Sequence, residues 1–194
     1  MSDNWDEYAK DWDSNPDVIK YATLAFNSLS KNNDPSGLKV LDFGCGTGLL
    51  TEKVASVADS VLAVDTSPKM INILKNKKLC NVDTLACEIS DESIEANPIL
   101  KVGYDLIIAS SVCAFVPNFE KTLSNLKSLL NPGGIFIQWD WKSTENEPDF
   151  GFDDDLIRDI YSKVGLSTVK ITTEFSLKSE KGTMDVIMGI AKNA

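Results

Sequence analysis

The sequence predicts a doubly wound α/β fold, with a mostly parallel sheet of seven strands, helices on both of its faces and an antiparallel hairpin at the C-terminus. Three observations predict it. From "LKVLDFG" onward, short runs of aliphatic and β-branched residues alternate with helical stretches at the spacing of βαβ crossovers. Helix starts and stops fall at the boundaries of those runs. At 194 residues and 43% hydrophobic content, the chain can bury one substantial core but is short for two. A single domain over 1–194 follows, with an N-terminal helical cap segment over 1–36 and an α/β core over 37–194.

The cap comes first in the chain. Residues 4–30 carry Trp5, Tyr8, Trp12, Val18, Ile19, Tyr21, Leu24, Phe26 and Leu29, and much of this segment is expected to be helical. An amphipathic helix packed on the sheet edge accounts for 18–29. For "WDEYAKDW", a lid over a ligand is an equal account. Strands are expected at 38–43, 60–65, 82–87, 103–109 and 134–140, with connecting helices near 47–57, 68–78, 92–97 and 117–130. Ser67 before Pro68 reads as a helix cap with proline at the first helical position, and "NPGG" at 131–134 stops a helix ahead of the fifth strand. A polar loop, "KSTENEPDFG", leads to a helix near 153–164 whose Leu156, Ile157, Ile160, Tyr161 and Val164 share one face. Strands at 167–174 and 184–191 form the closing hairpin across "SLKSEKG".

Composition excludes several classes of function. The acidic start "MSDNWDEYAK" lacks the features of a secretory signal, and "LIIASSVCAFV" is too short to span a bilayer. A soluble, cytoplasmic protein with no membrane role is expected. Cys45, Cys80, Cys87 and Cys113 form no C-x-x-C pair, and the sequence contains no histidine. Structural zinc, a bound catalytic metal and a disulfide framework are therefore not expected, and each cysteine reads as a small reduced core thiol. The net charge of −10 opposes attraction to phosphate backbones, so nucleic acid is not an expected partner. Arg158 is the sole arginine, leaving little material for bidentate clamping of carboxylate or phosphate.

The chemistry concentrates in "VLDFGCGTGLL", residues 40–50. Ligands of open parallel sheets bind beyond the carboxyl ends of the strands, and Gly44, Gly46 and Gly48 stand at that end of the first one. Without a Cβ they let a ligand approach main-chain N–H groups. Asp65 ends the second strand about 20 residues after the turn, where an acid accepts both hydroxyls of a ribose. Turn and acid together indicate an adenosine-type cofactor. A dinucleotide fingerprint places its third glycine where Leu49 stands, and Asp42 precedes the turn. A carboxylate there would repel a pyrophosphate and tolerate a ligand carrying an ammonium and a sulfonium, which leans toward S-adenosylmethionine.

On these residues the chain resembles the class I S-adenosylmethionine-dependent methyltransferases, of Rossmann-like fold, over almost its whole length. "VLDFGCGTGLLT" is similar to their first motif, "VLAVDTSPKM" to the second strand and helix start, "YDLIIASSV" to the fourth strand and "LLNPGGIFIQWDW" to the fifth. "WDEYAKDWDSNPDV" and "GFDDDLIRDIYSKVGLSTV" resemble a small subgroup with a generic methyltransferase domain. The resemblance implies that Gly44, Gly46 and the neighbouring Asp42 and Cys45 face the methionine moiety. It implies Asp65 on the ribose with Thr66 beside it, and Met70 near the adenine, though an ordinary core methionine is an equal account. It further implies Glu88 and Ile89 at the adenine amino group and Ser110 at the methionine amino group.

The sequence departs from the family where relatives carry histidines, and the basic residue that commonly follows "NP" is Asp17 here. That leaves the cofactor carboxylate to Lys10, a tyrosine, backbone amides or water. Imidazole catalysis is excluded. A sulfonium is already a good leaving group, so alignment and exclusion of water can carry transfer, with a general base adding about 10²–10⁴-fold. Asp140, at the end of the fifth strand between Trp139 and Trp141, is the first candidate base and Tyr8 the second; a hydrogen-bonded strand-end carboxylate is the competing account of Asp140. Trp5, Trp12, Phe115, Trp141 and Phe152 are expected to roof an apolar site suited to a small-molecule acceptor. No protein partner is indicated; a non-catalytic cofactor-binding regulatory or interaction module is the first alternative function and a nicotinamide-dependent oxidoreductase the second.

Overall fold

In a computed structural model of the chain, residues 5–145, 150–179 and 182–194 are described. Parts of the expected loop "KSTENEPDFG" and of the connection "SLKSEKG" lie outside them. The chain divides into two compact units, Met1–Glu88 and Ile89–Ala194. The seven strands are ordered β3 (Val82–Ala86), β2 (Ser60–Asp65), β1 (Lys39–Phe43) within the first unit and β4 (Tyr104–Ser110), β5 (Leu130–Trp141), β7 (Gly182–Asn193), β6 (Leu166–Ser179) within the second.

The first unit opens with a single helical turn, α1 (Trp5–Tyr8), and a 3-10 segment, Ala9–Ser14. Asn15 is extended, as the residue before a proline must be, and its side chain accepts from the Asp17 N–H at 2.9 Å to start α2 (Pro16–Asn32). Helix α2 buries Tyr21, Ala22, Ala25, Ser28 and Leu29, the one-sided spacing of an amphipathic helix. Three parallel strands follow: β1 (Lys39–Phe43), β2 (Ser60–Asp65) and β3 (Val82–Ala86). Leu41 lies opposite Leu62, which lies opposite Asp83. Helices α3 (Leu49–Ala55) and α4 (Pro68–Asn76) make the crossovers. From Val40 to Phe43 every residue is buried, the continuous burial of a parallel strand covered on both faces.

The second unit holds α5 (Asp91–Ala96), β4 (Tyr104–Ser110), α6 (Phe119–Leu129), β5 (Leu130–Trp141), α7 (Asp154–Lys163), β6 (Leu166–Ser179) and β7 (Gly182–Asn193). Strands β4 and β5 pair in parallel, whereas β7 pairs antiparallel with both β5 and β6. Two boundaries differ from the expected ones. Strand β5 begins at Leu130, opposite Tyr104, and pairing resumes at Ile135 opposite Leu106, so "NPGG" forms an irregularity within the strand instead of preceding it. The hairpin is longer than the turn residues of "SLKSEKG" suggest. Its Leu177 is buried between exposed Ser176 and Lys178, the alternation of a half-buried strand.

The turn from β1 to α3 constrains the first unit most tightly. Gly44, Gly46 and Gly48 all have positive φ, of 71°, 54° and 85°, and a Cβ on Gly48 would lie 2.3 Å from Leu74 Cδ1 in the core. Gly48→Ala is therefore expected to cost about 1–2 kcal/mol from the left-handed backbone alone, with the Leu74 clash added. Urea denaturation checks it as a lowered midpoint at unchanged slope.

Candidate functional site

In the first unit, the functional geometry starts where β1 and β2 end side by side. Gly44 and Cys45 both donate their N–H to Val64 O, at 2.8 and 3.0 Å, which folds the turn back onto β2. The next amide, Gly46, instead donates to Asp65 Oδ2 at 2.8 Å, and Asp65 Oδ1 accepts from the Ser67 N–H at 2.8 Å. One carboxylate thus ties the glycine turn to the start of α4. Burial pushes the Asp65 carboxyl upward, against the amide hydrogen bonds that favour its charge. The Thr66 amide also bonds this carboxylate, which is only partly buried and can still accept a hydroxyl.

Asp42 lies deeper. It is buried and accepts from Thr51 Oγ1 at 2.6 Å. Burial pushes its pKa up to about 7, with the Thr51 hydrogen bond opposing and the Asp65 charge adding. Cys45 is also buried, and burial together with the Asp42 and Asp65 charges pushes its thiol well above its ordinary range, so it is no nucleophile. Met70 is a buried side chain in the first turn of α4, its N–H capped by Ser67 Oγ at 3.1 Å. Thr66 and Glu88 are exposed. Cys80 is exposed as well, contrary to the expected core thiol, because it falls in the turn after α4.

Sequence reasoning missed how the N-terminal segment is fastened. Asp6 Oδ1 accepts from Ser67 Oγ at 2.5 Å and from the Lys69 N–H at 3.2 Å. The Ser67 hydrogen bond holds the Asp6 carboxyl below the usual carboxylate range. Asp13 accepts from Thr47 Oγ1 and pairs with Lys77 Nζ at 3.1 Å. The segment therefore spans both strand ends, latched to the glycine turn by one acid and to α4 by another. Within the segment, Trp5 packs edge-on against Trp12 at 6.1 Å and tilted against Tyr8 at 5.8 Å. The Trp12 indole nitrogen stands 3.5 Å from where a Gly46 Cβ would be, so a half-buried aromatic overlies the turn. Tyr8 is 55% exposed.

In the second unit, Ile89 is buried and Ser110 closes β4. Asp140 is fully enclosed. It accepts from the Ala114 N–H at 3.4 Å and from Gln138 Nε2 at 3.2 Å, and burial pushes its pKa up to about 7. Phe115 is 38% exposed, whereas Phe152 is 4% exposed and packs edge-on against Phe119 at 5.6 Å, placing it in the core instead of a roof. No helix among the described residues is long and apolar enough to cross a membrane.

Comparison with known proteins adds to this geometry. Residues 41–136 match the family model described as "Methyltransferase domain". The chain is 31% identical to the malonyl-[acyl-carrier protein] O-methyltransferase of Priestia megaterium, over 71% of this chain and 49% of that protein. It is 33% identical to the mitochondrial ubiquinone biosynthesis O-methyltransferase of Rattus norvegicus, over 56% of this chain and 33% of that one. The chain thus spans half or less of the length of these curated relatives. Among solved structures, a SAM dependent methyltransferase from Aquifex aeolicus superposes with a TM-score of 0.72 at 18% identity, over 93% of this chain and 94% of that one.

Because the folded state holds the Asp42 proton more tightly than the unfolded chain does, its contribution to stability is fully present at low pH and is lost as pH rises toward about 7. Asp42→Asn keeps an acceptor for Thr51 and removes the titration. Its stability relative to the wild type is expected to be higher at about pH 8 than at about pH 5. Paired urea titrations at the two pH values measure that difference.

Proposed function

Given that the chain belongs to the class I S-adenosylmethionine-dependent methyltransferases, we propose that it transfers a methyl group to an oxygen or nitrogen of a small-molecule acceptor. One observation carries the reading: the half-buried Asp65 carboxylate at the end of β2, held by the Gly46 and Ser67 amides and still open to a hydroxyl. An acceptor so placed suits the hydroxyls of a ribose. The glycine turn beside it admits a ligand against the main chain, and the neighbouring Asp42 and Asp65 carboxylates would repel a pyrophosphate.

In this reading Asp65 holds the ribose hydroxyls, Gly44, Cys45 and Gly46 present main chain to the methionine moiety, and Thr66, Met70 and Glu88 border the adenine. Bound S-adenosylmethionine supplies an activated methyl group on a sulfonium whose departure leaves a neutral thioether. The chain's own residues orient and exclude water. Trp5 and Trp12, latched over the turn by Asp6 and Asp13, shield it from solvent, and low water content strengthens each polar contact beneath them. Tyr8, exposed beside Trp5, is placed to hydrogen-bond an acceptor. Asp140 is too enclosed to take a proton from one directly. The O-methyltransferase names of the relatives favour oxygen as the acceptor atom.

Asp65→Ala is expected to weaken S-adenosylhomocysteine binding by about 10–100-fold, the worth of charge-assisted hydrogen bonds, with Asp65→Asn intermediate. Calorimetry measures both. Transfer of labelled methyl from S-adenosylmethionine to fractions of a metabolite extract tests the reaction itself. A wild-type protein that binds the cofactor and labels no fraction would reduce the function to cofactor binding.

A further inference from the structure

We infer that Asp140 is a positioning residue, setting the turn after β4 through a buried relay that starts on α7. The relay's place in catalysis rests on the methyl-transfer reading above; its geometry does not.

The relay is a chain of side chains without exposure. Tyr161, on α7, donates its hydroxyl to Gln138 Oε1 at 3.0 Å. That bond fixes the orientation of the Gln138 amide, whose Nε2 then faces Asp140 Oδ2 at 3.2 Å. Gln138 and Asp140 are two residues apart on β5 and so project from the same face. Asp140 Oδ1 accepts from the Ala114 N–H at 3.4 Å, and the Cys113 thiol hydrogen-bonds the same carboxyl. Tyr161 reaches Gln138 because position 189 of β7, directly opposite Gln138, is glycine. A Cβ there would stand 2.4 Å from the Tyr161 hydroxyl oxygen. Phe136 holds the tyrosine ring edge-on at 5.9 Å.

The turn at the far end needs such support. Ser111 has φ 55°, a left-handed conformation that costs a residue with a side chain, and its N–H donates to Trp139 O at 2.7 Å. Strand β5 therefore grips the turn twice, by main chain at Ser111 and by the Asp140 side chain at Ala114. Between and beyond those grips runs the 3-10 turn Cys113–Phe115, which carries the exposed Phe115. This is the carboxyl end of two parallel strands, where open sheets bind ligands. An apolar residue at 140 would leave the Ala114 N–H and the Gln138 amide unpaired in the interior, which explains a carboxyl at a fully buried position. The relay thus links the packing of α7 and β7 to the placement of Phe115, a specificity position for the acceptor.

Amide hydrogen exchange tests the relay without any acceptor. In Asp140→Ala, the Ala114 amide should exchange at least about tenfold faster, while Ile108 of β4 and Phe136 of β5 keep their rates. Asp140→Asn, which retains an acceptor for Ala114 but confronts Gln138 with a second amide, should fall between. Tyr161→Phe, which removes the hydrogen bond to Gln138 and keeps Asp140 and the Ala114 amide in place, should accelerate Ala114 in the same direction by a smaller factor. Uniform acceleration across β4 and β5 would mean a general loss of stability, and an unchanged Ala114 amide would mean that the turn holds itself; either result overturns the inference. In an extract fraction that the wild type methylates, Asp140→Asn should raise the half-saturating amount of that fraction with S-adenosylhomocysteine affinity unchanged. A wild type that labels nothing would sink the methyl-transfer reading and leave the exchange experiment to decide the relay.

Discussion

The hydrogen bond from the Gly46 N–H to the Asp65 carboxylate organises the first unit. It forms only because two neighbouring parallel strands end in register, Phe43 opposite Val64, and because the glycine turn folds back far enough to point one amide at the next strand's terminal acid. Val64 O takes the two preceding amides, so the turn's donors are divided between a main-chain carbonyl and a side chain. The same carboxylate accepts from Ser67, whose hydroxyl caps α4 and binds Asp6. Loss of the charge at position 65 would release the turn, the start of the next helix and the hold on the N-terminal segment together.

Buried acids recur in this strongly acidic chain, each with its own local donors. Asp42 has Thr51; Asp140 has Gln138, Ala114 and Cys113. Desolvation dominates both and brings their pKa to about 7. A buried carboxyl near neutrality is tolerable because protonation removes the charge, whereas its hydrogen-bond geometry persists in either form. Both acids lie within the strands they belong to, next to a loop that the strand leads into or that packs against it. Asp42 ties β1 to α3 through Thr51, and Asp140 ties β5 to the turn after β4.

The N-terminal segment uses acids differently. Asp6 and Asp13 are tied to hydroxyls of Ser67 and Thr47, residues that precede a helix start in each case, and Trp12, next to Asp13, overlies the glycine turn. The segment has little secondary structure to hold it, a single turn and a 3-10 stretch, so the latches and the aromatic packing carry the attachment. This arrangement covers part of the turn with few, separable contacts.

The sequence by itself determined the elements, because each rests on local signals: periodic burial in α2, the Ser67-Pro68 cap of α4, aliphatic runs in β1, β2 and β4, and glycines where the backbone turns left-handed. It also determined the pairing of a glycine turn with Asp65, since both lie at the ends of consecutive strands. The wrong boundaries, at "NPGG" and at "SLKSEKG", were places where turn-forming residues sit inside strand pairing, a competition that only the partner strand settles. The tertiary structure alone decided which acids are enclosed and which grip a loop. Thr47 meets Asp13 and Ser67 meets Asp6 across separations of 34 and 61 residues, and Tyr161 meets Gln138 only where Gly189 leaves space. Contacts of that range depend on how packed elements bring side chains together, and no spacing along the chain encodes them.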